Sequence, residues 1–379
     1  MENFPLMSKK KSGIELLKNN QFRAIDYWMI VPVLVLTVIG LFVLQNVLAA
    51  KVDNNMQTLI RQLVAAILGA LVAVIICFLE SQFLKLIGWT SYVLSMLLLF
   101  YVLVDGKQYV SGADAWIMLP FLNMTFQPSE LTKIALVLLN AYILEKIADK
   151  ELSMLKGFLY ITALFIPPIG LIMMQPDVGT AMVIVFSICC MLYIWGVKYR
   201  YIFLALSGLV VAAPFIFLNL LEPFQQKRIL SLFFTGTDES AEYNLNMAKK
   251  AISSGGLAGS SSGIPVDVPV KESDFIFSAI SEYMGFIGTT AVILLAFFFL
   301  GRCVYVASKM KVKSDSFIII GLTGNFAFHF IENMGMCVGL LPITGIPLPF
   351  ISSGGTALMV NFISIGIILN LSMRRNLSR

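Results

Sequence analysis

Long apolar stretches separated by short polar connections dominate this chain. They run over about 27–49, 61–80, 84–104, 129–146, 157–174, 178–196, 200–220, 275–307, 317–340 and 356–373. At 1.5 Å of rise per residue, roughly 20 such residues in an α-helix cross the hydrocarbon of a bilayer. The pattern predicts an all-α, polytopic integral membrane protein with about ten transmembrane helices. Pro167-Pro168 and the Gln175-Pro176-Asp177 turn interrupt the fifth and sixth runs, and the eighth is long enough to hold an interfacial first part or a kink.

Composition agrees. Of 379 residues, 58% are hydrophobic and 13% charged, a balance outside the range of soluble domains. The five cysteines (Cys77, Cys189, Cys190, Cys303, Cys337) lie in or beside apolar runs without a CxxC, which excludes a disulfide framework and a zinc site. The single histidine, His329, sits inside an apolar run and reads as a packed or interhelical hydrogen-bonding residue; neither a Ser-His-Asp triad nor a His-rich metal site can be built around it. The net charge of +5 comes from dispersed basic residues, so no nucleic acid partner is expected. Lys9, Lys10, Lys11, Lys18 and Arg23 precede a first run too long for a signal peptide and lacking a cleavage site, so that run is expected to be an uncleaved helix.

Charge sets the expected orientation. With the N-terminus inside, 18 of the 27 Lys and Arg fall on cytoplasmic segments and 9 outside, while the acidic residues split 8 inside and 14 outside. The bias places both termini in the cytoplasm. It divides the chain into a cytoplasmic tail (1–26), a transmembrane domain (27–373) with a large extracytoplasmic loop (221–274) before helix eight, and a short cytoplasmic tail (374–379). Segments 105–128 and 341–355 also face outward.

Candidate chemistry clusters on that outer side. Lys271-Glu272-Ser273-Asp274 places a carboxylate where a polar Gly/Ser-rich loop re-enters the apolar run, and Asp274 is the first candidate for catalysis; as structure alone, it would be the N-cap of helix eight. Glu282 lies eight residues on, about 12 Å along a helix, too far for a close acid–base pair on that helix. Gln127-Pro128-Ser129-Glu130 and Lys133 open the fourth run. Ser129 reads as an N-cap, and Glu130 and Lys133 share a helix face. Ionisable groups at such a position usually face a polar cavity. Asp177, in the turn before the sixth run, reads as a cap. Arg228, in Lys227-Arg228, is either a solvated charge or a phosphate ligand. The Gly-rich run 253–263 lacks P-loop spacing, and a flexible loop is the default there. From Gly339 to Gly355, three prolines and several glycines forbid a regular helix. A re-entrant segment is expected, tolerated only when buried in protein or lining a cavity, with Ser352, Gly354 and Gly355 offering backbone N–H groups to an anion.

These residues resemble one family. Gln127-Pro128-Ser129-Glu130 with Lys133, Gln175-Pro176-Asp177 with Gly179-Thr180, Phe224 through Arg228-Ile229, Ser254-Gly255-Gly256-Leu257, Asp274 through Phe277, Gly339 through Phe350, and Ser352 with Gly354-Gly355 are similar to the motifs of the SEDS family (shape, elongation, division and sporulation), which includes RodA, FtsW and SpoVE. The match spans about Tyr27 to Met373. The chain departs from the family pattern at Ala115, Met247, Val270, Glu272 and Ser353.

The resemblance implies a peptidoglycan glycosyltransferase in the bacterial cytoplasmic (inner) membrane. It would polymerise lipid II at the outer face, paired with a class B penicillin-binding protein, with membrane lipid around it. It implies Asp274 as the essential aspartate, Glu282 as the acidic residue of helix eight, Glu130 and Lys133 as a paired site, and Arg228 as the loop arginine. Lys133, Arg228 and Lys271 would offset the charge of the diphosphate leaving group. A divalent cation, Mg²⁺ or Mn²⁺, is a candidate cofactor, with Asp274 as its candidate ligand. Two other readings stay open: a lipid II flippase, and an inactive scaffold for the penicillin-binding protein. Clustering of the ionisable groups at the outer end favours an enzyme over a flippase.

Overall fold

The computed structural model describes residues 24–50, 56–105, 115–119, 124–219, 221–234, 236–260 and 265–377. The basic tail before residue 24, Ser111 to Asp114 and Arg379 lie outside them. In chain order the elements are α1 (Tyr27–Ala49), α2 (Met56–Cys77), α3 (Ser81–Asp105), β1 (Ile117–Leu119), β2 (Met124–Phe126), α4 (Pro128–Ala148), α5 (Met154–Met174) and α6 (Val178–Trp195). They continue with α7 (Tyr199–Asn219), α8 (Pro223–Leu230), α9 (Glu239–Ser254), α10 (Ile276–Ser308), α11 (Lys313–Val338) and α12 (Gly355–Leu377).

Each apolar run of the sequence falls on a helix. Seven of these, α1, α2, α3, α5, α6, α10 and α12, are long and apolar enough to cross a membrane. Pro167 and Pro168 lie inside α5 without ending it. The one departure from an all-helical chain among the described residues is the small antiparallel hairpin β1–β2, in which Ile117 faces Phe126.

α4 and α11 lie at the centre of the bundle. Both are largely buried and carry buried polar groups: Glu130, Lys133 and Asn140 on α4, and Asn325, His329, Glu332 and Asn333 on α11. Ringed by other helices, such groups find protein partners instead of hydrocarbon. Small residues let the remaining helices close on one another. A β-carbon at Gly366 of α12 would sit 2.8 Å from the Ala73 backbone of α2. Asn370 of α12 donates its amide to the carbonyls of Ile76, Cys77 and Leu79, at 2.8, 3.0 and 2.7 Å. It thereby satisfies the carbonyls that the end of α2 leaves without partners.

Where it is described, the loop 221–274 is built around two helices and is not the flexible loop that its composition suggests. Pro223 at the first helical position and the bond from the Glu222 backbone N–H to Gln225 Oε1 (3.0 Å) start α8. Asp238 caps α9 by accepting from Ala241 N–H at 3.0 Å.

α10 carries the kink that its length foreshadows. Gly285 has φ +62° and ψ −163°, outside the helical region. The segment after α9 enters this break. Phe286 N–H donates to Gly256 O (2.9 Å), Ile287 N–H to Leu257 O (3.1 Å), and Ser260 N–H to Glu282 O (2.7 Å). These bonds replace ladder bonds that the kink removes. The approach is close enough to require glycine on both sides: a β-carbon at Gly285 would meet Ala258 N and Gly259 N at 2.5 Å, and one at Gly255 would overlap Ser281 O.

Candidate active site

The site is assembled by the strap that follows α11. Gly339 ends that helix in the left-handed conformation (φ +81°). The chain then dives back into protein without regular structure, burying Ile346, Leu348, Phe350 and Ile351. Phe350 takes φ +66°, an unfavourable value for a bulky residue. Its ring, packed against Phe299, Phe326 and Phe362 with centroids 5.3 to 6.1 Å apart, holds it there. The re-entrant segment is therefore buried in protein, as its prolines and glycines require.

The far end of the strap is sewn to the loop before α10. Ser352 Oγ donates to Ser273 O (2.7 Å) and accepts from Leu348 N–H (2.8 Å), while Ser353 N–H donates to Glu272 O (2.9 Å). Gln62 of α2 donates to Ser352 O (2.8 Å) and accepts from Gly354 N–H (3.1 Å). The N–H groups of Ser352, Ser353 and Gly354 all bond within the chain, so at these three positions none is left for an anion. Gly355 is the first residue of α12.

Asp274 is not a helix cap. α10 begins at Ile276, its N-cap position is Phe275, and no side chain bonds there, so the capping alternative falls away. The Asp274 carbonyl accepts from Asn333 Nδ2 at 2.8 Å. Its carboxyl lies beside the strap: a β-carbon at Gly345 (φ +76°) would sit 3.4 Å from Oδ2. The residue is partly exposed and Gly345 is exposed, so the carboxyl lies at the protein surface beside the strap. Burial of the carboxyl pushes its pKa up; the Ser273 hydrogen bond and the Arg228 charge oppose that shift, and Glu272 adds to it.

Arg228 of α8 reaches over the strap, donating to Ile343 O at 3.3 Å and resting on the Phe224 ring. It is partly exposed, and its charge acts on Asp274. α8 is itself held by Gln225, whose amide donates to Pro176 O at 2.8 Å. The turn below is a clasp: Asp177 Oδ1 caps α6 through Thr180 N–H (3.0 Å), and Oδ2 accepts from Gln127 Nε2 (2.7 Å). Burial raises the Asp177 pKa against those bonds and the Lys133 charge.

Ser129 is not the cap of α4 either. Gln127 occupies that position without a side-chain cap bond, and the buried Ser129 hydroxyl has no partner among the described residues. Glu130 and Lys133 pair at 2.8 Å, both nearly inaccessible. Lys133 also donates to His329 Nε2 at 3.0 Å, and His329 Nδ1 meets Pro347 O at 3.0 Å. A carbonyl only accepts, so Nδ1 carries the ring proton and Nε2 receives the ammonium. This chain ties α4, α11 and the strap together, and makes His329 the interhelical hydrogen-bonding residue expected of it.

Lys271 and Glu282 form a second buried pair, separate from Asp274. Lys271 Nζ donates to Glu282 Oε2 and to Val266 O (2.8 Å), and Glu282 Oε1 accepts from Val266 N–H (2.6 Å). Lys271 is 4% exposed and Glu282 1%, so the lysine anchors the loop to α10.

Three contributors carry no flag in the motif pattern. Asn333 donates to Asp274 O and to Ile346 O, both at 2.8 Å. Glu332 accepts from the Thr344 hydroxyl. Gln62 braces the strap. A lone carboxylate inside an apolar run is the signal that Glu332 offered. Among the described residues no three His, Cys, Asp or Glu side chains converge as a metal site, so these residues do not by themselves assemble a cage for Mg²⁺ or Mn²⁺.

Comparison with known proteins identifies the family. The family model for the FtsW, RodA and SpoVE cell cycle proteins matches residues 26–377. A probable peptidoglycan glycosyltransferase FtsW of Trichlorobacter lovleyi is 31% identical over 95% of this chain and 96% of its own. Stage V sporulation protein E of Bacillus subtilis is 30% identical over 92% and 96%. Among solved structures, a chain of a peptidoglycan synthase complex that couples polymerization and crosslinking superposes with a TM-score of 0.78 at 28% identity, covering 93% of this chain and 98% of its own. The rod shape determining protein RodA of Thermus thermophilus gives 0.69 at 27% identity over the same shares. The protein belongs to the FtsW/RodA/SpoVE family.

Proposed function

We propose that the protein is a peptidoglycan glycosyltransferase that polymerises lipid II into glycan strands at the outer face of the bacterial cytoplasmic membrane. The observation that carries this reading is Asp274: a partly exposed carboxylate against the strap, excused from capping, on which the Arg228 charge acts. The Asp274 carboxylate takes the proton from the acceptor sugar's 4-hydroxyl. The freed oxygen bonds the donor's anomeric carbon as the bond to the diphosphate breaks. The electron pair leaves with the diphosphate, whose charge Arg228 offsets. Glu130–Lys133–His329 and Lys271–Glu282 hold the walls, and no step is assigned to a cation.

In this reading all ten long helices span the membrane, both termini are cytoplasmic, and α8, α9 and the strap lie outside. The polar residues of α4 and α11 are tolerated because other helices surround them. A class B penicillin-binding protein docks its transmembrane helix on α10 and α11, where Phe286, Phe297 and Phe298 stand exposed.

The test is polymerisation of lipid II by the purified protein, alone and with such a partner, read as glycan ladders on a gel. Asp274→Asn is expected to lose at least about 10²-fold in rate while still binding lipid II. Polymer from the variant at wild-type rate overturns the assignment. Transport of lipid II across vesicles without polymer would mark a flippase.

A further inference from the structure

Glu332 is the one acidic residue of the 317–340 run, and the mechanism above does not use it. It is 3% exposed. Thr344 donates to its Oε1, while Oε2 has no partner among the described residues. The next strap residue, Gly345, lies against Asp274 Oδ2, and the next helix residue, Asn333, holds the Asp274 carbonyl. Glu332 and Asp274 therefore flank the same dipeptide, Thr344-Gly345, one from α11 and one from the loop before α10. The Asp274 charge bears on Glu332.

Among the described residues, no cation of the surrounding elements is committed to Glu332. Lys133 of α4 is held by Glu130 and His329, and Lys271 by Glu282 of α10. Arg228 of α8 bonds the strap carbonyl at Ile343 and acts on Asp274. Lys249 of α9 lies at Gly339, seven residues or about 10 Å along the chain axis from Glu332. The remaining titratable neighbours are Glu272 of the loop, which is acidic, and Cys337 of α11, a buried thiol. A second ionised carboxylate here faces both desolvation and a like charge.

We propose that Glu332 stands in the working site as a neutral carboxylic acid, a positioning residue that holds Thr344 over Asp274 and leaves one negative charge beside the strap. The proposal rests on the reading of Asp274 as the base. Thr344 occupies Oε1, so the proton resides on Oε2. Loss of that proton sets two like charges against an anionic diphosphate substrate, and substrate engagement falls. Glu332 thereby sets the alkaline edge of activity.

Glu332→Gln separates these roles, because the amide still accepts from Thr344 and is uncharged at every pH. Lipid II polymerisation is measured across pH for wild type and variant, each profile normalised to its own maximum. The alkaline limb of the variant is expected to move upward by about one pH unit or more. A limb that does not move overturns the proposal. Infrared spectra of the wild type at neutral pH give a readout that needs no active variant. They should contain the carbonyl stretch of a buried protonated carboxyl that titrates with the alkaline limb, and its absence overturns the proposal as well. Asp274→Asn, assayed in parallel, reports on the base alone: its inactivity together with an unmoved Glu332→Gln limb removes this inference and leaves the proposed function standing.

Discussion

Asn333 holds Asp274 in place with a single amide group, donating at 2.8 Å to the Asp274 carbonyl and at 2.8 Å to that of Ile346. One fully buried side chain thus joins the loop before α10, α11 and the strap. Asn333→Ala leaves two buried carbonyls short of a donor, a loss of about 1–3 kcal/mol for each such group. The melting temperature in detergent is expected to drop, and polymerisation to fall further than the loss of folded protein explains. A variant as active as wild type per folded molecule would show that Asp274 is positioned by other contacts.

Lys271 and Glu282 give a stability test that is independent of catalysis. Lys271→Ala strands a carboxylate at 1% exposure, and breaking a buried pair in this way costs about 3–5 kcal/mol. Lys271→Met combined with Glu282→Gln removes both charges and is expected to recover most of that loss. Thermal unfolding of the two variants checks the order: the double variant should melt above the single one.

The pH dependence of Asp274 has a definite sign. A base must be ionised, and burial raises the pKa of this carboxyl. Activity should therefore fall on acidification at a pH above the usual aspartate value of about 3.9. Arg228 opposes the shift, so Arg228→Gln is expected to move the acid limb to still higher pH, besides weakening the hold on diphosphate. An acid limb that stays put in Arg228→Gln would place the arginine outside the reach of the base.

Gly285 tolerates no side chain. Gly285→Ala combines a left-handed φ of +62° with a β-carbon 2.5 Å from two backbone nitrogens. The expected cost is at least about 1–3 kcal/mol from backbone strain alone, with more from the clash. Poor recovery of folded protein, measured by size-exclusion in detergent, is the readout; a normal yield would mean that the 255–260 segment can withdraw.

Topology is open to cysteine labelling. With reactive native thiols removed, a cysteine replacing Lys249 should react with an impermeant reagent from outside, and one replacing Lys311 should not. The reverse pattern would turn Asp274 to the cytoplasm and remove lipid II polymerisation at the outer face.

Much of this was legible in the sequence because hydrophobic run length is a direct reading of bilayer thickness: every predicted run became a helix. The paired Glu130 and Lys133 followed from helical periodicity alone. Segment 221–274 misled because Gly and Ser were read as flexibility, whereas Gly255 and Gly285 are there to let two backbones touch. Asp274 stands one position from the cap of α10 and Ser129 two from that of α4, distances that local pattern does not resolve. Glu332 and Gln62 escaped because their partners are distant in sequence, and no local spacing announces a contact between α11 or α2 and the strap.

The break at Gly285 divides α10 mechanically. The segment 256–260 bonds both sides of that break: Ser260 N–H donates to Glu282 O before it, and Phe286 and Ile287 N–H donate to Gly256 O and Leu257 O after it. The far half of α10 answers to α1, through the fork of Arg302 on the Asp26 carboxylate at 2.9 to 3.1 Å. A tilt of the far half is resisted at the glycine by the 256–260 segment, which grips both sides of the break, before it reaches the near half beside Asp274. The helix that borders the site is thus also its vibration mount.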